Sequence, residues 1–173
     1  SGAGYLYMGT GTPTVTNQAG GTWNEGSTNT SYVMYFGTFT NAGNFNKTGT
    51  NTAQVYGTVF NSTVSGTNAV NVNAGTLQLT TGTSTDCGNY VVASGTTLDF
   101  NAGTRNLNTG TNVTGLGSLS LSGATVNANN LLDIVATGSS LTVSGGTLNI
   151  GANVISGQLV AVTISGGTLN LNT

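Results

Sequence analysis

The chain of 173 residues has no histidine, one cysteine, one proline and six charged side chains. Each shortage removes a class of function. Without His there is no imidazole to act as a general base near neutral pH or to activate a Ser or Cys nucleophile. Cys87 alone permits no internal disulfide and reads as a small buried hydrophobe. Two cations, Lys47 and Arg105, cannot neutralise a run of phosphates, which argues against nucleic acid, and they form no polybasic patch for a membrane surface. No apolar run approaches the roughly 18–20 residues of a membrane helix, so membrane insertion is not expected. No signal peptide is visible in a sequence that opens Ser1-Gly2, and the chain reads as a mature or excised piece of a longer product.

The acids are as sparse as the bases. Glu25, Asp86, Asp99 and Asp133 are the whole set. The best grouping is Asp86, Asp99 and Arg105, with Arg105 about one repeat from Asp86. It reads as an ordinary surface ion pair rather than the paired carboxyls of glycoside hydrolysis. A Ca²⁺ site needs several oxygen ligands together, and no regular Asp recurs. The expectation is therefore no catalytic residue, no metal, no cofactor and no enzyme activity. A polysaccharide-active enzyme is the weakest of the alternatives.

Such a polar chain is not read as disordered. Disorder goes with low hydrophobicity and high net charge, whereas 36% of these residues are hydrophobic and the net charge is −2. Val, Leu, Ile and aromatic residues run along the whole chain and suit strands. Gly, Asn, Ser and Thr between them suit corners.

The hydrophobic residues recur. Leu141-Thr142-Val143-Ser144-Gly145-Gly146-Thr147-Leu148-Asn149-Ile150 returns 21 positions later as Val162-Thr163-Ile164-Ser165-Gly166-Gly167-Thr168-Leu169-Asn170-Leu171. A looser copy, Leu119 to Ala128, lies 22 positions upstream. Three apolar columns share this period. The first runs Val33, Val55, Leu77, Leu98, Leu119, Leu141, Val162. The second runs Trp23, Phe45, Val64, Cys87, Leu107, Val126, Leu148, Leu169. The third runs Val70, Val91 or Val92, Val113, Ile134, Ile155. Within a repeat, Leu98-Asp99-Phe100 and Leu119-Ser120-Leu121 alternate with period 2, the signature of strands with one buried face.

These features predict an all-β fold: a parallel β-solenoid, a right-handed β-helix of about eight coils of ~21 residues with three short strands per coil. One domain is expected over 1–173, with an aromatic-rich part or cap over 1–60 and the most regular repeats over 74–173. A single coil cannot recover the ~1–2 kcal/mol per residue of backbone entropy it loses on ordering, so the repeats stabilise only as an array.

Ser144-Gly145-Gly146-Thr147-Leu148-Asn149-Ile150 and its copies resemble the autotransporter-associated β-strand repeats of bacterial surface proteins, most clearly over Ala74–Thr173. The resemblance implies a secreted, cell-surface β-helix, often adhesive.

Asn24, Asn46, Asn108, Asn127, Asn149 and Asn170 each follow the second column and are read as an outward ladder of stacked amides. Ten of the twelve aromatics lie in the first 60 residues. Trp23 and Phe45 fall on a core column. Tyr5, Tyr7, Tyr32, Tyr35, Phe36 and Phe39 are the candidate interface, since Tyr32-Val33-Met34-Tyr35-Phe36 has bulk on both faces. Thr28-Asn29-Thr30 and Thr50-Asn51-Thr52 invite an ice-binding reading, but equivalent sites downstream drift to other residues. Four Asn-x-Ser/Thr sequons, at Asn29, Asn46, Asn61 and Asn112, follow from composition alone.

The C-terminal repeat ends without charge, Pro or cap, which predicts either a longer solenoid or head-to-tail self-association into an open filament. The expected function is a non-enzymatic extracellular structural protein, a unit of a cell-surface fibre or an adhesin stalk. The alternative is a glycan- or partner-binding adhesin module that uses the aromatic N-terminal third.

Overall fold

The computed structural model describes residues 5–28, 31–64, 70–129, 140–151 and 161–171. Ile134, Ile155, Asp133, Asn29 and Thr30 lie outside the described residues. Nineteen strands are described: β1 (Leu6–Tyr7), β2 (Thr14–Asn17), β3 (Thr22–Glu25), β4 (Ser31–Asn41), β5 (Asn44–Lys47), β6 (Thr52–Ser62), β7 (Val70–Val72), β8 (Thr76–Leu79), β9 (Thr83–Asp86), β10 (Tyr90–Val92), β11 (Thr97–Phe100), β12 (Thr104–Leu107), β13 (Val113–Gly115), β14 (Ser118–Leu121), β15 (Thr125–Ala128), β16 (Ser140–Val143), β17 (Thr147–Ile150), β18 (Ala161–Ile164) and β19 (Thr168–Leu171). No helix occurs among the described residues.

Every strand pairing is parallel and joins one coil to the next, the mark of a β-solenoid. The first sheet has the order β1-β4-β6-β8-β11-β14-β16-β18, with β2 also paired to β4. The second runs β3-β5-β7-β10-β13 and the third β9-β12-β15-β17-β19. The solenoid makes about six turns, each near 21 residues, fewer than the eight expected from chain length. The N-terminal part consumes more chain per turn. Its strands β4 and β6 have eleven residues each, and Ala53 pairs with Leu77, a step of 24.

The core is a set of side-chain stacks. Ala53, Leu77, Leu98, Leu119, Leu141 and Val162 lie one above another. Beside them run Met34, Val55, Leu79, Phe100, Leu121, Val143 and Ile164, and the last members of the two stacks, Val162 and Ile164, are half-exposed. The expected first column holds from Leu77 onward. Upstream it is displaced: Val55 sits beneath Leu79, and Val33 falls at a register shift between Tyr32 and Met34. The second column also divides. Trp23 and Phe45 stack with Val70, Tyr90 and Val113 in the second sheet. In the third sheet Arg105, not Leu107, lies under Val126, Leu148 and Leu169. Cys87 and Val64 lie just past β9 and β6, and the Cys87 thiol is half-exposed rather than buried.

Corners explain the wealth of Thr and Gly. Thr80, Thr96 and Thr111 hydroxyls donate to the carbonyls of Val55, Val72 and Asp86 one coil below, at 2.9, 3.0 and 2.7 Å. Backbone that has left the ladder is thereby satisfied by side chains, as buried polar groups require. At Gly103 φ is +81°, and a Cβ would lie 2.3 Å from the Gly82 oxygen of the coil beneath, so both conformation and stacking demand glycine there.

Leu98 is fully buried between Leu77 and Leu119. Leu98→Ala is expected to lower stability by about 2–5 kcal/mol in urea denaturation. Ser120→Ala, on the outward side of the next coil, is expected to change it by less than about 0.5 kcal/mol.

Candidate functional site

The outward face of β4 carries the first candidate. Alternation sends Met34 inward and Tyr35 outward, and Tyr35 pairs in register with Tyr7 of β1 and Tyr56 of β6. The three tyrosines form a ladder, with ring centroids 6.0 Å apart for Tyr7–Tyr35 and 5.4 Å for Tyr35–Tyr56. Tyr32 adds contacts to Tyr56 at 4.6 Å and Tyr35 at 5.5 Å. Tyr5 meets Tyr35 at 6.2 Å, and Phe36 meets it at 4.3 Å. Tyr35 is the hub, and Tyr5, Tyr7, Tyr32, Phe36 and Tyr56 are 40–60% exposed.

Of the expected interface residues, Phe39 is not part of this patch. It is fully buried, stacked 5.4 Å from Phe60 and in edge contact with Trp23 and Phe45. The reason is a break in parity. Phe36 has φ +62°, the one positive value on a non-glycine among the described residues, and Gly37 follows at +87°. Two successive left-handed residues turn the strand, so Tyr35 and Phe36 both point outward and Phe39 returns to the core. A bulky residue held in that region costs about 1–3 kcal/mol. Two cavities flank the pair: one of about 350 Å³ lined by Gly9–Thr12, Phe36 and the kink beside it, and one of about 250 Å³ lined by Tyr5, Tyr32 and Tyr35.

The second feature is a pair of amide ladders. In the third sheet Asn170 donates to Asn149, Asn149 to Asn127 and Asn127 to Asn106, each at 2.8 Å, and Asn106 donates to the Ser84 carbonyl. Asn106, rather than Asn108, holds this register. Asn108 lies past β12 and accepts from Asn129. In the second sheet Asn71 donates to Asn46 and Asn46 to Asn24, at 2.9 and 3.0 Å. All these amides donate towards the N-terminal coil. Beside the longer ladder stand Thr83, Thr104, Thr125, Thr147 and Thr168 in one register.

The third feature reverses the expected placement of charge. Glu25, Lys47, Asp86, Asp99 and Arg105 are all buried. The Asp86–Arg105 pair is interior, not a surface ion pair: Arg105 Nη2 lies 2.6 Å from Asp86 Oδ2 and donates to Tyr90 Oη at 2.8 Å. Asp86 also accepts from Ser62 N and Ser84 Oγ at 2.9 and 3.1 Å. The guanidinium carbon stands 5.5 Å from the centre of the Phe100 ring. Arg105 Nε and Nη1 have no hydrogen-bond partner among the described residues. Burial pushes the Tyr90 phenol well above its ordinary value. Arg105 opposes that shift and Asp86 adds to it. Burial disfavours the Arg105 cation, but Asp86 and Tyr90 more than offset it and its affinity for the proton rises.

Lys47 and Glu25 form the other interior pair, Nζ to Oε2 at 3.5 Å. Lys47 donates to the Gly49 and Ala74 carbonyls and to Asn51. Burial lowers its pKa and Glu25 partly restores it. Asp99 stands apart from both pairs, its carboxylate accepting from Gln78 Nε2 at 2.7 Å and from Ser122 Oγ at 2.8 Å. Among the described residues no group of three or more His, Cys, Asp or Glu side chains could hold a metal ion. The interior charge was legible in one respect: Arg105 precedes Val126 by the repeat length of 21 and so falls on an inward column.

Compared with known proteins, the chain matches no family model, no curated protein and no solved structure.

Breaking the interior pair and neutralising it should differ in effect. Arg105→Ala leaves Asp86 buried and uncompensated and is expected to cost about 3–5 kcal/mol, whereas Asp86→Asn with Arg105→Met removes both charges and keeps an acceptor for the Ser62 N–H, and is expected to cost less; chemical denaturation distinguishes the two. Tyr90 gives a pH test. Its folded phenol keeps a proton that the unfolded chain loses above about pH 10, so stability is full below that pH and falls as pH rises past it. Loss of the strand signal on alkaline titration is expected, and Tyr90→Phe should move that loss to higher pH.

Proposed function

We propose that the chain is a non-enzymatic extracellular structural protein, a β-solenoid unit of a cell-surface fibre or an adhesin stalk. The observation that carries this reading is the inversion of polarity across the wall. Glu25, Lys47, Asp86 and Arg105 occupy inward positions, and Asp99, outward between Leu98 and Phe100, is covered by Gln78 and Ser122, while the outward faces carry hydrogen-bonded Asn ladders and rows of Thr. Such a surface has little with which to do acid–base chemistry and much that stiffens a rod along its axis, since each amide ties one coil to the next. We take the coil to be right-handed, with three strands per coil from β8 onward, where β8–β9–β10 visits the first, third and second sheets in turn, and two per coil upstream, where the chain alternates between the first and second sheets. The resemblance of the Ser-Gly-Gly-Thr-Leu-Asn repeat to autotransporter-associated strands supports a cell-surface setting.

A second reading has its own observation. The tyrosine patch around Tyr35 is an exposed aromatic cluster, which favours an adhesin module that binds a glycan or a partner.

Negative-stain electron microscopy of the purified protein at micromolar concentration tests the first reading. Head-to-tail filaments one solenoid wide are expected. Monodisperse single particles across that range would overturn assembly by this chain.

A further inference from the structure

We infer that the patch around Tyr35 binds a neutral glycan, with neighbouring sugar rings seated in the two cavities that Tyr35 and Phe36 divide. The inference rests on the binding-module reading above and names its ligand. Four observations lead to it.

The first is ring chemistry. Tyr5, Tyr7, Tyr32 and Tyr56 are 40–60% exposed and each joins an apolar ring to a phenol hydroxyl, and Phe36 is 40% exposed with a ring that has none. A pyranose has the same division, with C–H faces and a hydroxyl edge, and aromatic side chains suit surfaces that are apolar in one direction and wet in another. The second is charge. All five described charged residues are buried, so an acidic polysaccharide or an anionic protein would meet no described cation at this face.

The third is size. Five rings of about 150–250 Å² each, 40–60% exposed, present on the order of 450 Å². A stable protein partner covers about 800 Å² per side, so the patch is small for a protein and adequate for a few sugars. Its cavities, about 350 and 250 Å³, lie near the lower end of the small-ligand range, and the Tyr35 and Phe36 rings between them are 4.3 Å apart. The fourth is strain. Phe36 adopts φ +62° while its ring stays 40% exposed, so core packing does not return what the conformation costs. What the conformation achieves is to set the Phe36 ring in one cavity's lining, in contact with the Tyr35 ring that lines the other. Strain of this kind gathers at ligand clamps.

The full chain is titrated by calorimetry with cellohexaose, laminarihexaose and chitin hexasaccharide as neutral probes and with hexagalacturonate as the acidic one. At least one neutral hexasaccharide should bind with a dissociation constant in the millimolar range or tighter, and hexagalacturonate at least tenfold more weakly. Tyr35→Ala should weaken binding at least tenfold. Phe36→Gly should also weaken it while leaving the thermal midpoint unchanged or higher, which separates loss of the site from loss of the fold. Unaltered affinity in both variants would overturn the assignment to this patch. Preference for hexagalacturonate, lost in Tyr35→Ala, would overturn the neutral ligand and leave the binding module standing. Binding of neither class at several millimolar would overturn both.

Discussion

Parallel stacking of one coil on the next, in register, is the constraint from which the other features follow. A turn of about 21 residues has little interior of its own. Its strands find hydrogen-bond partners, and its Leu and Val side chains find apolar neighbours, only in the turns above and below. Strand spacing then brings equivalent residues to roughly 4.7–4.9 Å of one another. At that spacing identical side chains either support or oppose each other. Amides support, because each Asn both donates and accepts. Like charges directly stacked would oppose, and the chain has almost none to stack.

The same constraint decides what was legible in the residues. The period, and the stack from Leu77 to Val162, can be read directly because each step between those coils is 21 or 22 residues. The N-terminal columns could not be counted off in the same way. A shifted register at Val33 and a 24-residue step from Ala53 to Leu77 each move the frame, and neither has an obvious signal in composition. Phe39 cannot be placed by alternation from Tyr35, because the two left-handed residues Phe36 and Gly37 reset strand parity before it. Glycine gives notice of such a turn, but phenylalanine does not.

Charge was misread because residue type was given more weight than position. Arg105 stands between the outward Thr104 and Asn106 and one repeat before Val126, so alternation and period both place it inside. It is held there by Asp86, Tyr90 and the Phe100 ring. At the patch around Tyr35 the bulk on both faces of Tyr32–Phe36 marks the outward rings in the sequence, while Phe39, Phe45 and Phe60 fill the interior. Two aromatic layers, one on each side of the wall, account for the crowding of rings in the first third of the chain.

The interior location of Lys47 and Arg105 bears on how long such a rod would last outside a cell. They are the chain's only basic residues, and both are buried. Trypsin-like proteases cut after basic side chains and need several residues of extended, unpaired backbone around the bond. Here the bond after Lys47 lies at the end of β5 and the bond after Arg105 inside β12, both within the stack, so digestion would have to wait for coils to come apart. With its described ionic groups enclosed, the surface also gathers little counterion atmosphere, and brine and fresh water would act on it much alike.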